Sequence, residues 1–385
     1  MNPRPLNPSK PCMISIQKVH DKDISSALAR LLKPIVNPEE LKGKSVLVKP
    51  NLVEPLAYTS GQTTNPALVE AIVVWCKNCG VKDVAIGEGP SYFQPDDALK
   101  DCFVKTGMTN VAERQSIRWI LFDDEKFRRF NQYSPATPSS FSISEHAFSW
   151  DLIINLPVPK THYLTGVSIA MKNLKGFIRR EDKPSFHYCG KDNIHGSVTA
   201  LNKMIRPFLN VVDCTAPVHR NKSFILAGKD IVAVDTVVTS LMGINPETIS
   251  TIKLGHGAGL GEMDMSKINL VGEDIKDLRM NLEQPREYVR RVFHNLILSA
   301  DTACSGCLIP LFSSLRKMEE TGLFPEEAIE FVLGKEKPSN RGCKTIFLGQ
   351  CTKGCCSEGR WLNGCPPTKA EMFEFIKNQL MSKSE

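Results

Sequence analysis

Short β-branched runs alternate with longer stretches of helical hydrophobic period over most of the chain. Ser45-Val-Leu-Val-Lys-Pro-Asn51 is such a run, and Pro50 ends it, the pattern of a buried strand that delivers its last residues to a loop. Pro66 opens an apolar-periodic helix through Trp75 that Gly80 stops, and Asp83-Val-Ala-Ile-Gly-Glu-Gly89 reads as the next strand. Strand, helix and strand in that order predict a βαβ unit, hence a parallel pair with a right-handed crossover. The pattern predicts further strands over 118–122, 151–156, 209–212 and 224–227, and helices over 25–32, 197–205 and 231–242.

This alternation predicts an α/β fold, a mostly parallel sheet with helices on both faces. Before it, the proline-rich opening reads as an irregular arm over 1–20, so the α/β domain is placed at 21–284. From about Pro285 the character changes to a small cysteine-rich module over 285–385, with helices expected over 288–298 and 368–380. There is no internal repeat and no low-complexity tract.

Composition narrows the function classes. A hydrophobic content of 42% with 23% charged residues belongs to globular proteins. The net charge of +6 arises from interspersed charges of both signs, without the basic runs of a nucleic-acid tail, so a mildly basic protein rather than a nucleic-acid binder is expected, and a small anionic ligand is compatible with it. No stretch approaches the roughly 18 consecutive apolar residues of a membrane span. The start, Met1-Asn2-Pro3-Arg4-Pro5, lacks a secretory apolar region, so a cytoplasmic location without a membrane partner is expected. Thirteen cysteines in a reducing compartment, an odd number, cannot form a complete disulfide framework, and metal or cluster ligation becomes the leading expectation.

Cys304-Ser-Gly-Cys307, Gly349-Gln-Cys351 and Gly364-Cys365-Pro366-Pro367 carry the strongest chemistry. A C-x-x-C turn offers two thiolates from one side of a loop, and its glycine lets the backbone bend closely around a metal centre. The proline after Cys365 suits a rigid ligand turn. The spacing matches neither a compact ferredoxin run nor the paired knuckles of a zinc ribbon, so the ligands have to be assembled from distant points of the module. The expected cofactor is one [4Fe–4S] cluster on Cys304, Cys307, Cys351 and Cys365, with structural zinc as the alternative and with Cys343, Cys355 or Cys356 able to take the place of Cys351. Cys76-Lys-Asn-Cys79 has ligand spacing too, but it ends a helix beside apolar residues and reads as packing, as do the isolated Cys102, Cys189 and Cys214.

In the α/β domain, Pro159-Lys-Thr-His162 follows a strand, the place where open parallel sheets bind ligands. Lys160, His162 and Lys172 are the candidate catalytic groups. Lys172 and Lys175, three apart, would share a helical face able to hold carboxylate or phosphate, with Asn173 beside them. Lys49 and Asn51 leave another strand end, Thr161 lies beside Lys160, and Thr64 precedes a helix whose N-terminus can attract anions. Gly87-Glu-Gly-Pro-Ser91 is a weak phosphate-loop candidate, lacking both the Walker lysine and the full dinucleotide glycine pattern, and a strand-ending turn explains it equally well. Asp230 reads as a helix N-cap.

The ordered set Val-Lys49-Pro-Asn51, Thr64-Asn-Pro66, Gly87-Glu-Gly89, Pro159-Lys-Thr-His162, Met171-Lys-Asn-Leu-Lys-Gly176, Val212-Asp213 and Ala227-Gly-Lys-Asp-Ile-Val-Ala-Val-Asp235 resembles the domain of unknown function 362 family over about residues 45–264. The resemblance implies an iron–sulfur protein, although this cysteine module departs from an ordinary ferredoxin; no catalytic role comes with it. A fainter similarity, strand-loop-Thr-x-Pro-helix-strand, looks like the N-terminal domain of nickel-dependent lactate racemases, whose nickel-cofactor histidines have no assignable counterpart here.

The leading expectation is a redox protein that passes electrons between the cluster and a small anion or partner protein at the α/β pocket, possible because burial and hydrogen bonds around thiolates tune a cluster's potential. The alternatives are a non-redox racemase or lyase on a small carboxylate with a structural cluster, and a zinc-stabilised binding protein.

Overall fold

The computed structural model describes every residue except 1–11, 22, 90, 92–97, 125, 132–136, 189–192, 220–221, 340–341, 357–359 and 382–385. Cys189 and the start of the expected N-terminal arm lie outside the described residues. Contacts divide the chain into two units, the second running from Glu283 onward and including His162–Leu164.

The strands of the first unit are β1 (Cys12–Lys18), β2 (Ser45–Lys49), β3 (Asp83–Glu88), β4 (Arg118–Leu121), a ribbon of β5 (Phe127–Asn131) with β6 (Ser140–Ser144), β7 (Leu152–Asn155), a ribbon of β8 (Lys160–His162) with β9 (Gly166–Ser168), β10 (Leu209–Cys214), β11 (Phe224–Gly228) and β12 (Ile268–Gly272). Eight of them form one sheet in the order β12-β1-β11-β10-β7-β2-β3-β4. Every neighbouring pair is parallel except the two that β11 makes, with β1 and β10.

The faces follow from residue alternation. Val46 and Val48 of β2, with Ile225 and Ala227 of β11, enter one core with Leu28 and Leu31 of the helix Ile24–Leu32 and Leu68 and Ile72 of the helix Pro66–Asn78. On the opposite face a Cβ at Gly228 would meet Val234 of the helix Ile231–Leu241 at 3.0 Å, so that helix covers the second side. The result is an α/β sheet with helices on both faces.

One expectation is corrected here. Residues 12–18, assigned to an irregular arm, are β1, inside the main sheet with Ile14 and Ile16 fully buried. The prolines just upstream masked a strand that earns its place only through long-range pairing with β11 and β12.

The second unit has its own parallel sheet, β13 (Leu296–Ser299), β14 (Ile329–Leu333), β15 (Lys344–Leu348) and β16 (Trp361–Leu362), in sequence order. Leu311 and Leu315 of the helix Ser305–Thr321 and Met372 and Ile376 of the helix Lys369–Met381 close its core. The expected helix over 288–298 is also corrected: the helix is Pro285–Val292, and Leu296–Ser299 is strand. Asn295 breaks the two, its amide donating to the carbonyls of Pro325 and Glu326, each at 3.0 Å.

Candidate functional site

Four neighbouring parallel strands of the first unit end in buried polar residues: Asp213 near the end of β10, Asn155 on β7, Lys49 on β2 and Glu88 on β3. Their common C-terminal edge is where an open parallel sheet offers a ligand site. Lys49 Nζ donates to Glu88 Oε2 at 2.8 Å, with the two side chains 0% and 4% exposed. Burial lowers the pKa of Lys49, and the Glu88 carboxylate opposes that shift. A Cβ at Gly176 would fall 1.8 Å from Glu88 Oε1 and 2.7 Å from Lys49 Nζ, so only glycine lets the backbone pass the pair.

Asn155 joins this edge to the segment that carries the candidate lysines. Its amide nitrogen donates to Asn210 Oδ1 at 2.9 Å and to the Ala170 carbonyl at 3.1 Å, and its oxygen accepts from Asn173 Nδ2 at 2.8 Å. Asp235 fixes the same segment from the other side by accepting the N–H groups of Ala170 at 2.7 Å and Met171 at 3.2 Å. Burial pushes the Asp235 carboxyl up to about 7, against those two hydrogen bonds.

Further lysines gather near this edge. Burial lowers Lys160 to about 8, while the Glu54 and Glu88 carboxylates favour its charge. Lys160 Nζ donates to Asn51 Oδ1 and, at 3.0 Å, to the Gln62 carbonyl. Lys183, which the sequence reading missed, is lowered to about 8 by burial, with Glu88 and Asp123 pulling the other way. Burial lowers Lys175 to about 7, aided by Lys183. Lys172 falls well below the ordinary lysine value through burial and through repulsion by Lys175 and Lys160. Among the described residues, no hydrogen bond or ion pair engages Lys172. Crowded, desolvated ammonium groups of this kind favour a bound anion or loss of a proton.

Lys49, Asn51, Lys160, Lys172, Asn173 and Lys175 therefore belong to one neighbourhood. Lys172 and Lys175 do not share one α-helix, however: Ala170–Asn173 is α-helical and Leu174–Phe177 tightens to a 3-10 turn. Thr64 is used inside the fold, its hydroxyl accepting the Asn51 N–H at 2.8 Å and donating to the Leu156 carbonyl at 2.8 Å. The N-terminus of the helix Pro66–Asn78 holds the protein's own acceptors: Asp213 takes the Asn65 N–H at 2.6 Å and Asn65 Oδ1 that of Ala67 at 3.0 Å. Thr161 is half-buried next to Lys160. His162 falls in the second unit, where Nδ1 accepts the Leu164 N–H at 3.2 Å. Asp230 is an N-cap, accepting the Ala233 N–H at 2.9 Å.

The second unit brings Cys304, Cys307, Cys351 and Cys365 toward the C-terminal ends of its strands. Cys304 follows β13 and caps the helix Ser305–Thr321, Cys307 lies in that helix, Cys351 follows β15, and Cys365 follows β16. Gly349 donates to the Leu362 carbonyl and Gln350 to that of Gly364, each at 2.8 Å, which binds the last two loops together. A Cβ at Gly349, φ +95°, would lie 2.8 Å from Cys307 Sγ.

Three of these thiols, Cys304, Cys307 and Cys351, feel their neighbours. The Cys307 thiol donates to Cys304, lowering the latter to about 6 with help from the N–H groups of Cys307 and Gly306. That hydrogen bond, burial and the fields of Cys304, Cys351 and Cys365 raise Cys307. Cys351 is raised by burial and then by Cys365 and Cys304. Thiols are the ligand type that iron–sulfur clusters and zinc take, but the spacing of these is not that of a single-ion site. Among the described residues, no three His, Cys, Asp or Glu side chains are grouped tightly enough to hold a single metal ion. Cys343 precedes β15, a strand length of about 17 Å from its other end, and Cys356 Sγ donates to the Lys353 carbonyl at 3.1 Å. No disulfide joins the twelve described cysteines, and no described helix is long and apolar enough to cross a membrane.

Glu88 and Lys183 were not legible as site residues. Glu88 sits in what reads as an ordinary strand-ending turn, and its only signal is a charge at the end of the strand beside Lys49; Lys183 lies in a charged stretch that looks like solvated surface.

Comparison with known proteins supplies relatives. The chain is 25% identical over 297 residues to the thylakoid-associated protein sll1697 of Synechocystis sp., covering 72% of this chain and 84% of the relative. Among solved structures, the lactate racemase apoprotein from Thermoanaerobacterium thermosaccharolyticum is 13% identical with a TM-score of 0.41, over 96% of this chain and 81% of that one. A Thermotoga maritima protein is 12% identical with a TM-score of 0.38, over 83% and 73%. Residues 46–240, half of the chain, match the family described as domain of unknown function (DUF362), and the chain belongs to that family.

Proposed function

We propose that this is an iron–sulfur protein whose Cys304, Cys307, Cys351 and Cys365 hold a [4Fe–4S] cluster, and whose α/β unit binds a small anion, carboxylate or phosphate, through Lys160, Lys172 and Lys175. The observation that carries the reading is the placement of four thiols after the ends of β13, β15 and β16, on loops that hydrogen-bond to one another at Gly349 and Gln350. The glycine at 349 supports it, since a side chain there would crowd Cys307. When bound, the cluster would supply one-electron chemistry. The residues around it have their own tasks. Cys304 sits at the helix N-terminus, where the Cys307 thiol and backbone N–H groups lower its pKa, and Trp361 braces the Cys351 loop by donating Nε1–H to the Gly349 carbonyl at 3.1 Å. The redox partner is the bound anion or another protein, in the cytoplasm.

Anaerobic purification with iron, sulfide and zinc analysis tests the reading, comparing Cys351→Ser with Cys343→Ser. Loss of iron in the first variant alone is expected; one zinc and no sulfide would establish the binding-protein alternative instead.

A second reading, a non-redox racemase or lyase acting on a small carboxylate with a structural cluster, is favoured by one observation: Lys172, unengaged and electrostatically crowded, is suited to act as a neutral amine. Turnover that survives oxidation of the cluster would select it.

A further inference from the structure

Lys172 differs from the lysines around it. Lys49 is tied to Glu88, and Lys160 is held by Asn51 and the Gln62 carbonyl, whereas Lys172 is engaged by no described hydrogen bond or ion pair and remains partly accessible. Its backbone is fixed: Asp235 holds the N–H groups of the two residues before it, and Asn173, directly after it, is held by Asn155. A side chain of this kind is an amine on a rigid mount, with Lys175 one turn further on and with Asn173 donating to the Pro50 carbonyl at 3.4 Å, beside the Asn51 that holds Lys160.

We propose that Lys172 captures the carbonyl group of a small 2-oxo acid as an imine, with the acid's carboxylate held by Lys160 and Lys175. The proposal rests on the lysine cluster being an anion site and names the substrate class of that site. A carboxylate beside the carbonyl suits the arrangement because Lys160 and Lys175 belong to the same lysine neighbourhood as the amine. Lys160 uses two of its three N–H donors on Asn51 and Gln62, leaving one for the ligand.

The step balances without any redox reagent. The Lys172 nitrogen forms a bond to the carbonyl carbon, the carbon–oxygen bond breaks, and the oxygen leaves as water with the two hydrogens of the amine. A neighbouring ammonium lends a proton to the departing hydroxyl and regains one from the nitrogen. Burial and like-charge repulsion supply the required state, since an amine attacks only when unprotonated. The imine then draws electrons from the next carbon, C3, which eases removal of a proton there or loss of a 3-carboxylate as carbon dioxide.

The test treats the full-length protein with pyruvate and sodium cyanoborohydride under anaerobic conditions and maps the adduct by peptide mass spectrometry. The expected result is one reduced pyruvyl adduct, on Lys172, suppressed at least tenfold by orthophosphate and absent from Lys172→Arg with an unchanged melting temperature. Lys160→Met should slow the labelling several-fold while leaving Lys172 the labelled residue. No adduct, or adducts spread over surface lysines, overturns the proposal. A parallel melt with orthophosphate separates the two layers: stabilisation without a Lys172 adduct removes only the imine role, whereas neither effect removes the anion site as well.

Discussion

Lys49 and Glu88 form an ion pair 2.8 Å long at the ends of two adjacent parallel strands, sealed from water on both sides. Two desolvated charges of this kind are costly to separate, because removing one leaves the other buried and uncompensated. Glu88→Ala should therefore lower stability by about 3–5 kcal/mol, whereas Lys49→Met combined with Glu88→Leu should recover most of that loss. Urea unfolding of the three variants checks this, and a single variant as stable as the parent would show that the pair is not closed to water.

Gly176 is the second constraint on the pair. An alanine methyl would overlap Glu88 Oε1 and crowd Lys49, so Gly176→Ala is expected to cost about 1–3 kcal/mol and to shift the neighbouring lysine segment. Equilibrium unfolding together with orthophosphate affinity separates the two effects.

The lysine cluster predicts an unusual pH response. Lys175 is lowered to about 7, and Lys160 and Lys183 to about 8, by burial. The unfolded chain, with ordinary lysines, binds more protons between these values and the usual lysine range, so stability should rise with pH from about 7 to 10. Orthophosphate, which favours the charged lysines, should raise the melting temperature more at pH 7 than at pH 9.5. An equal effect at both values would mean that these lysines do not bind it.

Asp235 acts in the opposite sense over a lower window. Its carboxyl is raised from 3.8 to about 7 by burial, so the folded chain binds the extra proton between those values and stability falls as pH rises through them. Asp235→Asn should flatten that slope, which is at most about 1.4 kcal/mol per pH unit. Denaturation at pH 5 and pH 7.5 measures it.

Gly349→Ala should lower the iron content and also cost some stability, since the added methyl would press on the buried Cys307 and the residue holds φ +95°. Iron per chain and far-ultraviolet circular dichroism read the two outcomes.

Local chemistry explains which features the sequence disclosed. The segment from β2 to β3 was legible because Pro66 at the first helical position and Gly80, with φ +74°, mark the helix ends without tertiary help. The placement of Lys49 at the end of β2 and of Lys160 beyond β7 also followed from alternation. By contrast, β1 and the antiparallel insertion of β11 depend on pairings across more than two hundred residues. The parallel sheet of the second unit was missed because β14 contains Glu330, a charge that breaks an apolar pattern yet is buried, accepting hydrogen bonds from Ser339 N at 3.0 Å and from the Ser299 hydroxyl. The Lys49–Glu88 pair was hidden for the same reason: each charge alone resembles surface.

The most direct test of the account is the metal and sulfide content of anaerobically purified protein, with electron paramagnetic resonance after reduction. The account predicts iron and acid-labile sulfide in equal amounts, about four of each per chain, with a reduced-cluster signal that Cys304→Ser abolishes. A folded chain carrying neither iron nor sulfide, or zinc alone, would contradict it.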